Sequence, residues 1–366
     1  MRRLISKAER SIRTLARDAL TLSTLAGRSY DVVFFSGAPI DEVWIRSTYQ
    51  ECTRRGLRCI NLTTAPRRRA ATVFAHSASL QALRFLRARA IVTASSGLPP
   101  WATPSGCKHV IHMPHSLVSL HMVYPENAFD AYNVLFACGD HHVSEIAAID
   151  RMRGIRSRRV YRIGYGRSDL IASMPFANAS TTPTVLIAPS WGAENVLESI
   201  GRELIERLLA TNRRVILRPH PVICHERPAL ISEFQQRFSN SSRFEFEAPG
   251  SSDRSLAEAD IMVSDFSGIA MEFAFARSRP VVFVDVPRKV RNPNYLALGL
   301  TPLELDIRPR LGAVVQPLLE AICAQIDELL VNPTDPNKIA DLRRRYAYQW
   351  GTTGKAAADE ISRMVT

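Results

Sequence analysis

Apolar residues along this chain fall into short, nearly continuous runs that alternate with longer stretches of helical spacing. "YDVVFFS" (30–36), "LRCINL" (57–62), "ARAIVTA" (88–94), "KHVIHM" (108–113) and "NVLFACG" (133–139) are rich in β-branched and aromatic residues and predict strands. Spacing near 41–53, 77–87 and 140–150 predicts helices between some of them. After the Pro/Ala/Ser/Thr-rich "ASMPFANASTTPT" the pattern restarts. "TVLIAPS", a helix over about 194–211, "RVILRPHP", a helix near 227–238 and "RFEFE" follow in order. Next comes "ADIMVSDFSGIAMEFAFARSRPVVFVD", which reads as strand, tight turn, helix, strand, and the last forty residues are helical.

Strands that are apolar on both faces and alternate with helices predict parallel sheets covered on two sides. The expected fold is therefore α/β, with two Rossmann-like domains whose parallel sheets face a cleft, joined near 173–183. In residue ranges, the expectation is a basic amphipathic helix over 1–28, one domain over 29–175, a second over 176–345 and a C-terminal helix over 346–366. Open parallel sheets bind ligands beyond the carboxyl ends of their strands, so the chemistry should lie in the loops that follow them. The first strand is followed by "GAPIDE" rather than G-x-G-x-x-G, and no G-x-x-x-x-G-K-[ST] occurs, which argues against dinucleotide enzymes and P-loop NTPases.

Charge changes the picture more than composition does. The chain carries a net charge of +12, which calls for an anionic partner: nucleic acid, anionic lipid or a phosphorylated substrate. No stacking motif or DNA-binding module accompanies it, so nucleic acid is not expected. Basic residues gather at 2–17, at Arg67–Arg69 and at 151–167. In "MRRLISKAERSIRTLARDAL", Leu4, Ile5, Ala8, Ile12, Leu15 and Ala16 recur at helical intervals among arginines and Lys7. That pattern fits a helix lying on an anionic membrane surface, and equally a first helix packed on its own domain. The six cysteines form no C-x-x-C pair and read as the reduced thiols of a cytoplasmic protein. No run is long and apolar enough to span a bilayer, and no cleaved leader is evident, so a peripheral position at the inner face of the cell membrane is expected.

Three loops carry candidate chemistry. In "VIHMPHSLVSLH", His115 stands in a turn at a strand end, where a neutral imidazole can take a proton from an attacking hydroxyl. In "YRIGYGRSDLI", Gly164 and Gly166 permit close backbone approach, Arg167 can grip a phosphate with two donors, and Asp169 can orient that arginine or cap the following turn. In "VILRPHP", Arg218 and His220 sit between prolines that stiffen the loop, which suits donors to an anionic leaving group. The turn "SDFSG" allows two readings. Asp265 and Ser267 are helix N-capping residues, or the turn aims free amides and the helix dipole at a phosphate.

Taken in order, these motifs resemble the CDP-glycerol glycerophosphotransferases of teichoic-acid and capsule polymer synthesis. The matching stretches are "PHS" at 114–116, "GYGRSD" at 164–169, "APSWG" at 188–192, "RPHP" at 218–221 and "DRSLAEADIMVSDFSG" at 253–268. Together they span about residues 105–290, with Ser116 in place of the family's usual glycine and Gly166 in place of its proline. The resemblance implies a GT-B-like fold with an acceptor domain followed by a nucleotide-donor domain. It implies transfer of a phosphopolyol from a CDP-linked donor to a hydroxyl of a lipid-linked or polymeric acceptor of the cell surface. On this match His115 is the general base and His220 faces the donor phosphate. Gly164, Arg167, Asp169, Ser190, Arg218, Ser264, Asp265, Ser267 and Gly268 bind the donor. No metal and no cofactor is expected. The alternatives are a GT-B glycosyltransferase that uses a nucleotide sugar, and a relative that binds nucleotide or polymer without turnover.

Overall fold

The computed structural model describes residues 2–25, 27–64, 75–175, 182–192, 194–250 and 252–366, without the side chains of 2–12, 39 and 75. The basic cluster Arg67–Arg69 lies outside these residues. The chain divides into two compact units. Unit 1 comprises Met1–His115, Pro125–Leu170 and Ala347–Thr366; unit 2 comprises Ser116–Tyr124 and Ile171–Tyr346.

Unit 1 is built on a seven-stranded sheet in which every pairing is parallel. Its strands are β1 (Ser29–Ser36), β2 (Cys59–Thr63), β3 (Ala75–Ser77), β4 (Arg87–Thr93), β5 (His109–His112), β6 (Val134–Ala137) and β7 (Arg159–Arg162), in the order β3-β2-β1-β4-β5-β6-β7. Val32, Phe34, Ala90, Val92, Ile111, Val134 and Phe136 point from its central strands into one core. The helix Glu42–Arg54 packs there against the C-terminal helix Thr353–Val365. The two come so close that a Cβ on Gly354 would lie 2.7 Å from the backbone of Ser47. The residues from Ala347 onward thus complete unit 1, although the chain reaches them only after unit 2.

Unit 2 holds a six-stranded parallel sheet of β8 (Thr184–Ile187), β9 (Arg214–Leu217), β10 (Phe244–Phe246), β11 (Ile261–Ser264), β12 (Val281–Val284) and β13 (Gly312–Val315). The order is β10-β9-β8-β11-β12-β13. The strands β8, β11 and β12 are buried at every residue, as apolar runs covered on both faces require. Helices Gly201–Ala210, Pro228–Phe238 and Leu319–Val331 supply much of that cover. The strand order reverses between β1 and β4 in unit 1 and between β8 and β11 in unit 2, which puts a ligand crevice at each of these places.

The N-terminal helix runs over Arg2–Leu25. Its second half docks on unit 1: Asp18 accepts the Ser79 amide at 2.9 Å and the Ser79 hydroxyl, Thr21 donates to the Ser77 carbonyl at 2.8 Å, and Leu25 is buried. Leu15, the last large member of the apolar stripe, is 62% exposed. Two expected helices differ. The segment expected over 77–87 is a 3-10 turn at Leu80–Phe85, and the segment over 194–211 breaks into Val196–Ser199 and Gly201–Ala210.

Candidate functional site

In unit 1 the residues at the carboxyl ends of β1, β4 and β5 converge on His115. Its Nδ1 lies 2.7 Å from the Ala94 carbonyl. A carbonyl only accepts, so Nδ1 carries the proton and Nε2 keeps the lone pair, the tautomer a general base needs. Burial holds the imidazole below its ordinary pKa of 6.5, partly opposed by the Ala94 carbonyl and by the charge of Asp41. Asp41 is itself fixed: one carboxylate oxygen accepts the Ala38 amide and the Ser95 hydroxyl, each at 3.0 Å. The Trp44 ring stands 5.4 Å from the His115 ring, and its Nε1 donates to the Tyr165 hydroxyl at 2.8 Å. Asp41, Trp44 and Ser95 had no recognisable motif, and only the sheet order brings them to His115.

The "GYGRSD" loop is placed differently from expectation. It belongs to unit 1, and two of its residues, Gly164 and Asp169, hold the C-terminal segment. Asp169 accepts the Thr353 and Gly354 amides, one on each oxygen and both at 2.7 Å, at the start of the helix Thr353–Val365. Both oxygens serve a helix N-terminus that the chain reaches much later. Gly164 has φ +110°, and a Cβ there would lie 2.1 Å from the Tyr348 carbonyl. A Cβ on Gly166 would lie 1.8 Å from the Trp44 carbonyl, which accounts for glycine where the family pattern has proline. Arg167 is buried at the first position of the helix Arg167–Ala172.

In unit 2 the crevice lies between the ends of β8 and β11. Ser264 is fully buried, and its hydroxyl donates to the Ala188 carbonyl at 2.6 Å, tying the two strand ends together. Asp265, also buried, accepts the Ser190 amide at 2.7 Å and the Val196 amide at 3.3 Å. These residues fix the turn. Ser267 then stands at the N-cap of the helix Gly268–Arg277 in extended conformation, and its side chain makes no capping bond. The capping reading therefore fails for the Ser267 hydroxyl. A Cβ on Gly268 would lie 2.6 Å from the Ser116 hydroxyl oxygen, so the serine that replaces the family's glycine occupies the space left by Gly268.

The "RPHP" loop divides its residues. His220 Nδ1 accepts the Val222 amide at 3.2 Å, so Nε2 carries the proton and can donate. Burial, with help from the charge of Lys289, pushes its pKa down to about 3, so it offers a hydrogen bond and no charge. Arg218 departs from its expected role. Its guanidinium binds Glu247 at 2.9 Å, Asp253 at 2.7 Å, the Ser252 carbonyl at 3.0 Å and the Ser255 hydroxyl at 3.3 Å. Two carboxylates, Glu247 buried and Asp253 partly buried, consume its charge inside unit 2. Arg308 is similarly paired with Asp285 at 2.8 Å. Local sequence gave no sign of Lys289, Arg291 and Trp191, which gather at the same end of the sheet: Lys289 Nζ lies 4.8 Å, and the Arg291 guanidinium 4.3 Å, from the centre of the Trp191 ring. Among the described residues no group of three or more His, Cys, Asp or Glu side chains is arranged to hold a metal ion.

Two units with parallel sheets of this order define a GT-B-like α/β protein, and solved structures of that fold match most of the chain. UDP-GlcNAc 2-epimerase from Neisseria meningitidis bound to UDP-GlcNAc is 14% identical with a TM-score of 0.60, over 91% of this chain and 100% of that one. The S. aureus MnaA-UDP co-structure is 12% identical with a TM-score of 0.56, over 89% of this chain and 94% of that one. At such identities the likeness is one of fold. No match was found among curated proteins. The model of the CDP-Glycerol:Poly(glycerophosphate) glycerophosphotransferase family matches residues 126–288, a span that includes the "GYGRSD", "APSWG", "RPHP" and "SDFSG" stretches.

Proposed function

We propose that this chain is a glycerophosphotransferase-like transferase, moving a phosphopolyol of the glycerol-phosphate type from a CDP-linked donor to a hydroxyl of a lipid-linked or polymeric acceptor of the cell surface. The family match over 126–288 carries this reading, because it covers the strand, turn and helix that frame the unit 2 crevice. The acceptor hydroxyl gives its proton to Nε2 of His115 while its oxygen attacks the polyol-bearing phosphorus. The P–O bond to CMP breaks, and CMP leaves with the electron pair. The Ser267 hydroxyl, the amides that open the helix Gly268–Arg277 and the Nε2–H of His220 stabilise the phosphate oxygens. Ser264 and Asp265 act beneath them by fixing the turn, since their hydrogen bonds are already committed within it, while Ser190 is held there through its amide and keeps its hydroxyl for the donor. Arg167 keeps its expected place at the donor phosphate, whereas Asp169, Gly164 and Arg218 support the two units.

A nucleotide-sugar donor is the second reading. Its specific support is that the fold neighbours from Neisseria meningitidis and S. aureus hold UDP-GlcNAc and UDP. We also place the protein at the inner face of the cell membrane, attached by the basic half of its N-terminal helix. The exposed Leu15 supports this, and no described helix is long and apolar enough to cross a membrane. Offering CDP-glycerol, UDP-GlcNAc and other nucleotide-linked donors side by side tests the donor. A ligand at a hundredfold excess over Kd stabilises the folded protein by about 2.7 kcal/mol, a shift that thermal melting resolves. CDP-glycerol should give the larger shift and release CMP in the presence of a polyol acceptor. A shift with UDP-GlcNAc alone overturns the reading in favour of the second.

A further inference from the structure

Trp191 follows β8, Lys289 follows β12, and β11 lies between those two strands. Adjacent strands stand about 4.8 Å apart, so the ends of β8 and β12 are separated by about 10 Å. Lys289 and Arg291 nevertheless both lie over the Trp191 ring, at 4.8 Å and 4.3 Å. Lys289 also lies within electrostatic reach of Asp265, in the turn that follows β11. The Arg291 backbone is pinned from the other side, its amide donating to the Met122 carbonyl at 2.9 Å.

Among the described residues neither cation has a carboxylate at ion-pair distance. The acids that attract Lys289 are Asp265 and Glu304, and both are already engaged. Asp265 holds two backbone amides, and Glu304 accepts the Ser119 amide at 3.1 Å and the Ser119 hydroxyl. Lys289 is partly buried, which pushes its pKa down, whereas Arg291 is exposed. Two like charges share one aromatic ring, one of them partly buried, and their mutual repulsion costs free energy in the unliganded protein. An anion there relieves it. A nucleotide-linked diphosphate carries two negative charges, which matches the pair.

We propose that Lys289 and Arg291, held together on Trp191, are the counter-charge for the diphosphate of the donor, in the place where the sequence pointed to Arg218. This rests on the donor-binding reading of unit 2, and it adds a cationic clamp that begins just past the segment matched by the family model. The ligand class is a nucleoside diphosphate or a nucleotide-linked diphosphate ester, recognised through its phosphates.

Calorimetric titration of the full chain with CDP, inorganic pyrophosphate and cytidine tests it, in the wild type and in Lys289→Met, Lys289→Arg and Arg291→Met. Lys289→Met and Arg291→Met should each weaken CDP and pyrophosphate tenfold or more and leave cytidine unchanged, while Lys289→Arg stays within a few-fold of wild type. A folded methionine variant that binds pyrophosphate as wild type does overturns the proposal, and so does a parallel loss of cytidine affinity. If Lys289→Met does not fold, Arg291→Met is judged by the same criterion. Failure of the CDP-glycerol reading is separable: a protein that turns over a nucleotide sugar should still lose pyrophosphate and UDP affinity in these variants.

Discussion

Replacing Arg218 with methionine separates a structural arginine from a donor ligand. The guanidinium sits between Glu247 and Asp253 at 2.9 Å and 2.7 Å, and Arg218 and Glu247 are only 7% and 4% exposed. Methionine fills much of the volume but leaves two carboxylates facing each other with no cation. A charge-assisted hydrogen bond contributes about 1.5–3 kcal/mol, so losing both costs about 3–6 kcal/mol. Removing one partner of a buried ion pair costs about 3–5 kcal/mol, which agrees. At about 2–4 °C per kcal/mol for a unit of this size, the unit 2 transition should fall by roughly 6–20 °C. Scanning calorimetry of the full chain reads this directly, with the unit 1 transition as an internal control. Adding Glu247→Gln and Asp253→Asn should recover part of the loss, because the stranded charges are then gone. Donor affinity, titrated well below the transition, should stay close to wild type. An unchanged transition with a donor affinity tenfold weaker would refute this account and return Arg218 to the donor.

Further outcomes follow from the same geometry. His115→Gln should lower kcat by about 10²–10⁴-fold with donor affinity retained. Because burial favours the neutral imidazole, the acid limb of kcat/KM should lie below pH 6.5, where His115 at last gains a proton; a limb above that value contradicts the assignment. Ser267→Ala should weaken donor binding by about 1–2 kcal/mol. It should leave the melting temperature almost unchanged, since the hydroxyl makes no capping bond; a lower melting temperature with normal binding makes the residue structural. Gly268→Val should do worse in the binding assay, because its Cβ alone meets the Ser116 hydroxyl at 2.6 Å. Deleting residues 1–12 keeps the Asp18 and Thr21 contacts and should abolish sedimentation with anionic vesicles. Equal association of the intact chain with neutral vesicles rules out the electrostatic attachment.

The sequence by itself determined which segments become the central strands. β1, β2, β4, β5, β6, β8, β9, β11 and β12 are apolar runs, because strands covered on both faces must be apolar at nearly every position. The three strands it did not reveal, β3, β7 and β13, all lie at sheet edges. An edge strand such as Arg159–Arg162, half-exposed along its length, carries too little apolar pattern to stand out. The turn at Ser264–Gly268 was legible too, since a strand running into a helix through Asp, Ser and Gly is a local event. Pairing of charges is not local. Asp169 is claimed by amides at Thr353 and Gly354, and Arg218 by carboxylates at Glu247 and Asp253. Lys289 meets Trp191 although β11 stands between their strands. A side chain's type shows what it can bind, whereas which partner reaches it first is decided by the order of strands in the sheet, and that order is fixed by packing between segments far apart in the chain.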